Sequence, residues 1–279
     1  MVTKTFNGNG GSLTDGTNWT PPGVPLPGDT AVMSSGSGIL GDSNLNGDTL
    51  LFGHDFSGTE PPPNLTLWNA TLDLENQGLA EGTVSAADGS TLNINRVASS
   101  EGATLTVNIA DSDQLDGTLA APVFRSLVTI NGPTSVYNHS GTTDLTLGGR
   151  VELNTNVLGT GDWNLSFVSE LTTNGLFTET VTDQGGALDV KTPTLFTGQI
   201  NLINSVDSQP VTQVSLEGLF ATAATYDGST LSLLFGSEVI DQVKISDPNS
   251  FKVYQAPTGV QIFAGEPSTP VTFPLLLQT

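Results

Sequence analysis

The chain has 279 residues, of which only 13% are charged, and its 28 acidic and 7 basic residues give a formal net charge of -21. The acids are spread along the whole length and no basic stripe exists to neutralise phosphates, which excludes nucleic acid and an anionic membrane surface as partners. With no cysteine the chain has neither disulfides nor thiolate metal sites, and Lys, Arg, Glu and Ala are too scarce for a helical protein.

Read from the N-terminus, MVTKTFNGNGG has no apolar core of an export signal, and no later apolar run is long enough to span a bilayer. The segment NWTPPGVPLPGDTAVM (18–33) follows. Its Trp19 offers a large apolar plate, Pro21, Pro22, Pro25 and Pro27 prevent strand addition, and DTAVM (29–33) is expected to start the first strand. Short alternating runs then recur: LTLWNATLDL (65–74), STLNIN (90–95), ATLTVNI (103–109), LVTI (127–130) and TDLTLGGRVELNTNV (143–157). WNLSF (163–167), ALDV (187–190), GQINLI (198–203), STLSLLF (229–235) and GVQIFA (259–264) continue the series. Each reads as a strand with alternate side chains in a core.

Strands return roughly every 10 residues and similar patterns after roughly 20, the spacing of a repetitive β-architecture. The expected fold is all-β, a single-domain parallel β-helix (β-solenoid) with an N-terminal cap; a β-sandwich is the alternative. AADGS (86–90), GTGD (159–162) and YDGS (226–229) are expected at coil corners rather than in two-residue hairpin turns. Polar Asn and Thr within the strands are expected to stack as ladders between coils. The chain thus divides into a cap and first strand (1–33), a solenoid (34–264) and an apolar tail (265–279).

The run NWTPPGVPLPGDTAVM resembles the opening of bacterial autotransporter-like and haemolysin-type secreted β-helix surface proteins. A second resemblance lies in LFTGQINLI, VSLEGL (214–219), ATYDGSTLSLLFGSEVIDQVKIS (224–246) and FKVYQAPTGVQIF (251–263). It implies a secreted or surface-displayed β-helix with an adhesive or structural role, and it carries no catalytic residue across. The glycine-aspartate nonapeptide repeats of the haemolysin-type calcium proteins do not occur in these 279 residues, and a membrane-anchoring β-barrel of the autotransporter kind is not expected among them.

Candidate chemistry is sparse. DSDQLDG (111–117) gathers Asp111, Asp113 and Asp116 as candidate calcium ligands, although Asp116 falls one place late for an EF-hand loop; a solvated acidic loop is the other reading. Arg96, Arg125 and Arg150 are the only arginines, available to a polysaccharide lyase but more simply paired with nearby acids. His54 and His139 lack partner ligands in the sequence and are expected in turns or on the surface. Trp68, Trp163, Tyr137 and Tyr254 offer rings for sugars or for core packing.

These features predict a non-enzymatic extracellular surface protein, an adhesin or structural matrix component, without a cofactor unless calcium binds. Its expected partners are copies of itself or a cell-surface or matrix polysaccharide. A polysaccharide-active β-helix enzyme and a phage receptor-binding protein are the alternatives. The tail STPVTFPLLLQT (268–279) carries Phe273, Leu275, Leu276 and Leu277, and with Trp19 and Pro25 these are the candidate capping or assembly residues. The tail has three readings: a C-terminal cap, an export signal, or a strand donated to a neighbour in a filament.

Overall fold

The computed structural model describes residues 2–8, 10–26, 29–33, 37–41, 44–47, 49–52, 64–68, 71–74, 82–87, 91–94, 104–109, 114–117, 127–145, 148–166, 168–203, 212–246, 251–264, 273–274 and 277–278. Strands dominate it, and the helical elements among these residues are two short 3-10 turns, Gly16–Asn18 and Pro193–Leu195. Successive strands pair in parallel, coil upon coil, so the protein is a β-solenoid. A sandwich would pair its strands antiparallel.

Three runs of stacked strands make up the coils. The first passes through Ser37–Gly41, Asn64–Trp68, Gly82–Ala87, Thr104–Ile109, the start of Leu127–His139, Arg150–Val157, Glu170–Thr173, Ala187–Val190 and Thr212–Glu217. The second links Asn44–Gly47, Thr71–Leu74, Thr91–Ile94, Gln114–Gly117 and the end of Leu127–His139. The third comprises Thr142–Leu145, Asp162–Ser166, Thr180–Gln184 and Gln199–Leu202. The predicted 143–157 strand is therefore two, Thr142–Leu145 and Arg150–Val157, separated by a corner containing Gly148 at φ 81°.

Period-two alternation becomes columns of apolar side chains once the coils are in register. Leu65, Val84, Val107, Ile130, Leu153, Thr173, Val190 and Leu216 are successive register partners, and all are buried. Two residues earlier, Val128, Val151, Leu171, Leu188 and Val214 form a parallel column. Each inward residue is thus covered from above and below by the same position of the next coil, so no single coil can bury its own core.

The N-terminal cap contains more strand than the sequence reading assigned. Thr30–Met33 is not the first strand: Thr3–Phe6 precedes it and pairs with it in parallel, and Trp19–Thr20 adds to Thr3–Phe6 antiparallel. Trp19 is 1% exposed, meets Phe6 edge-on at 5.1 Å, and donates from Nε1 to the Leu13 carbonyl at 2.8 Å. Pro25 is also buried. Lys4, itself buried, donates from Nζ to the carbonyls of Pro21 and Pro22 at 3.3 and 3.2 Å, tying the proline loop to the first strand. We expect Trp19→Phe to keep the apolar plate but orphan the buried Leu13 carbonyl, lowering stability by about 1–2 kcal/mol in chemical denaturation.

The other end also departs from expectation, because the parallel coils do not continue to residue 264. Thr212–Glu217 pairs in parallel with Ala187–Val190 on one side and antiparallel with Gly259–Ala264 on the other. Ala223–Tyr226, Thr230–Phe235 and Glu238–Ser246 form an antiparallel meander, and Phe251–Ala256 pairs antiparallel with Gly259–Ala264. YDGS is therefore a hairpin turn, with the Asp227 carboxylate accepting from the backbone N–H groups of Ser229 and Thr230. The reversal closes a growing end whose next coil would otherwise present an open edge. Gln255 anchors the closure by accepting from Ala221 N and donating to the carbonyls of Leu219 and Gly259. In the tail, Phe273–Pro274 pairs with Phe251–Ala256 and Leu277–Gln278 with Ala223–Tyr226, both within the same chain.

Candidate functional site

The outer side of the first run carries a continuous polar ladder. Asn174 donates through Nδ2 to Asn154 Oδ1 at 3.5 Å, Asn154 to Asn131 at 3.0 Å, Asn131 to Asn108 at 3.0 Å, and Asn108 to Ser85 Oγ at 3.3 Å. Its rungs are 23 residues apart from Ser85 to Asn154 and 20 apart at the last step, close to the predicted repeat. An amide supplies both donor and acceptor, so a column of Asn can repeat this bond indefinitely along the axis. On the third run Asn164 donates to Asp144 Oδ1 at 2.7 Å and Asn201 to Thr182 Oγ1 at 3.3 Å. A shallow cavity of about 420 Å³ lies over Asp144, Asn164, Ser166, Thr182 and Gln184.

The interior contains a polar cluster that sequence reasoning missed. His139 is neither in a turn nor on the surface; its side chain is completely buried, as is that of Glu179. Gly161 N–H donates to Glu179 Oε1 at 3.3 Å and Trp163 Nε1 donates to Oε2 at 2.6 Å. His139 Nδ1 lies 2.6 Å from the same Oε2 and completes the set as a third donor, while Nε2 meets the Thr143 hydroxyl at 2.9 Å. His139 also belongs to an aromatic column. Tyr137, His139, Trp163, Phe177 and Phe196 follow one another at centroid distances of 5.5, 4.4, 6.3 and 5.2 Å. Trp163 and Tyr137 thus pack inside rather than facing a sugar, and Tyr254 is buried as well.

The remaining expected site residues are scattered. Asp111 and Asp113 lie outside the described residues, as do Leu275, Leu276, His54, Arg96 and Arg125. Asp116 stands in the strand Gln114–Gly117, in register with Asn93 and Asn138, rather than in a loop. Arg150 is exposed and in backbone register with Glu170. Among the described residues no group of three or more His, Asp or Glu is arranged to hold a metal, and no helix is long and apolar enough to cross a membrane.

No family model, curated protein or solved structure matches this chain. What the molecule offers a partner must therefore be read from its own surface.

A cleft of about 620 Å³ lies where the last coil meets the closing meander. Thr194, Phe196 and Thr197 form one side, and Thr230, Ile240, Asp241 and Lys244 contribute to the other. Asp241 accepts from the backbone N–H of Gln242 through Oδ1 at 2.9 Å, whereas its buried Oδ2 has no hydrogen-bond partner among the described residues. Burial pushes this carboxyl above the usual aspartate range.

Proposed function

We propose that the protein is a non-enzymatic extracellular surface protein, an adhesin or structural matrix component whose stacked coils present a fixed polar face to a repeating partner. The Asn ladder carries this reading. It repeats one hydrogen-bonding group at every coil on a rigid backbone, which suits a cell-surface or matrix polysaccharide whose own groups repeat. Uniform acidity keeps such a rod soluble and steers it from polyanions. Filament formation is an extension of the proposal: Leu277–Gln278 adds to an edge strand, and the same addition between neighbouring chains would join rods end to end.

The test is to present the purified full chain to immobilised neutral and acidic polysaccharides and to bacterial cells, with and without calcium, while assaying the supernatant for released oligosaccharides. Retention without release is the expected result. Release of oligosaccharides would overturn the non-enzymatic reading in favour of a polysaccharide-active enzyme. Negative-stain imaging of the full chain beside one lacking residues 268–279 tests the extension, since fibres that survive the deletion exclude donation of the tail strand.

A further inference from the structure

We propose that the cleft between the last coil and the closing meander binds a small neutral saccharide, a proposal that rests on the surface-protein reading and assigns that protein a specific ligand site. Its volume of about 620 Å³ lies within the range of small-molecule sites. Thr194, Thr197, Thr230 and Gln242 line it, residues whose side chains both donate and accept. Asp241 lines the cleft too, and its Oδ1, which accepts from Gln242 N–H at 2.9 Å, keeps a second lone pair that a sugar hydroxyl can use. Val239, 55% exposed, and Ile240 supply apolar surface for the C–H side of a sugar ring.

Charge selects against the acidic sugars. An anion entering the cleft meets the Asp241 carboxylate and the field of a chain with net charge -21, while Lys244 is the cation lining the cleft. A neutral ligand pays neither repulsion and can still use the lysine as a donor. The Phe196 side is firm, because this ring stacks face to face on Phe177 at 5.2 Å and 5° and belongs to the aromatic column.

Saturation-transfer NMR and calorimetry on the full chain, with maltose, cellobiose, lactose and digalacturonate as probes, test the proposal. At least one neutral disaccharide should bind, and digalacturonate should not. Asp241→Ala should weaken that binding at least tenfold, and Val239→Trp, which fills the cleft from an exposed position, should abolish it; far-UV circular dichroism and the unfolding midpoint report whether each variant is folded. Failure of all three neutral probes, or affinity unchanged in both folded variants, overturns the proposal. If the full chain is retained on cells or polysaccharide and the variants are retained equally, the cleft assignment fails while the surface-protein reading stands. If the wild-type chain is retained on none of them, the surface-protein reading itself fails.

Discussion

Replacing Glu179 by alanine is expected to destabilise the protein by about 3–5 kcal/mol, because each buried donor left without its acceptor costs about 1–3 kcal/mol. The side chain is wholly enclosed and satisfies Gly161 N–H, Trp163 Nε1 and His139 Nδ1 at once. Alanine strands all three donors in a site without water access and leaves a void between two coils. Glu179→Gln should cost less, because the amide oxygen still accepts, yet its NH2 must face at least one of the three donors. His139→Ala leaves the carboxylate with two donors and removes a ring from the aromatic column. Because His139 and Glu179 share one bond, the double variant should be less destabilised than the two single losses added together, with a coupling above about 1 kcal/mol. Urea denaturation of the four proteins measures this cycle. Single variants within about 0.5 kcal/mol of wild type would show that the cluster contributes nothing to holding the coils together.

The contrast between the apolar columns and this cluster shows what a sequence can display. Leu65, Val107 and Ile130 are visible in advance because each lies in its own alternating run, so a local pattern suffices to place it inward. The Asn ladder is equally accessible: Asn108, Asn131 and Asn154 occupy the same place in three successive runs. His139 and Glu179 are 40 residues apart, on coils that are not adjacent, and neither sits in a pattern that names the other. One local trace existed. GTGD is a coil corner, as its turn residues predict, but Gly159 and Gly161 are glycines because a Cβ at either position would collide with His139, and at Gly159 also with Glu179. The closing meander was missed for a related reason. Its strands alternate as the coils do, so their pattern alone does not distinguish an antiparallel strand from one more coil. The turn Asp227, Gly228, Ser229 could have signalled the hairpin, since Asp-Gly between alternating runs is a strong short-range hairpin signal.

A second large effect should appear as a pH dependence of stability in the unexpected direction for a carboxylate. Asp183 faces the interior in register with Leu165 and Leu202, and its burial pushes the carboxyl up to about 7, although Gly186 N–H donates to Oδ1 at 2.8 Å. In the unfolded chain the same group titrates near the ordinary aspartate value of 3.8, so between these two values the folded protein holds a proton that the unfolded chain has released. Stability from this group is therefore fully present below pH 3.8 and is lost as pH rises through about 7. Asp241 shifts in the same direction, whereas the exposed Asp15, Asp29 and Asp227, lowered by hydrogen bonds to their carboxylates, lose their contribution only as pH falls below the ordinary aspartate range. The two sets act in separate windows, which lets Asp183 be isolated. Asp183→Asn keeps an oxygen for Gly186 and never ionises. It should match wild type near pH 4 and exceed it at pH 8 by on the order of 2–4 kcal/mol, flattening the profile between. Urea denaturation of both proteins across that range reads the difference directly, and parallel profiles would mean that Asp183 stays ionised in the fold, its charge neutralised by the backbone donors of the Gly185–Gly186 turn rather than by a proton.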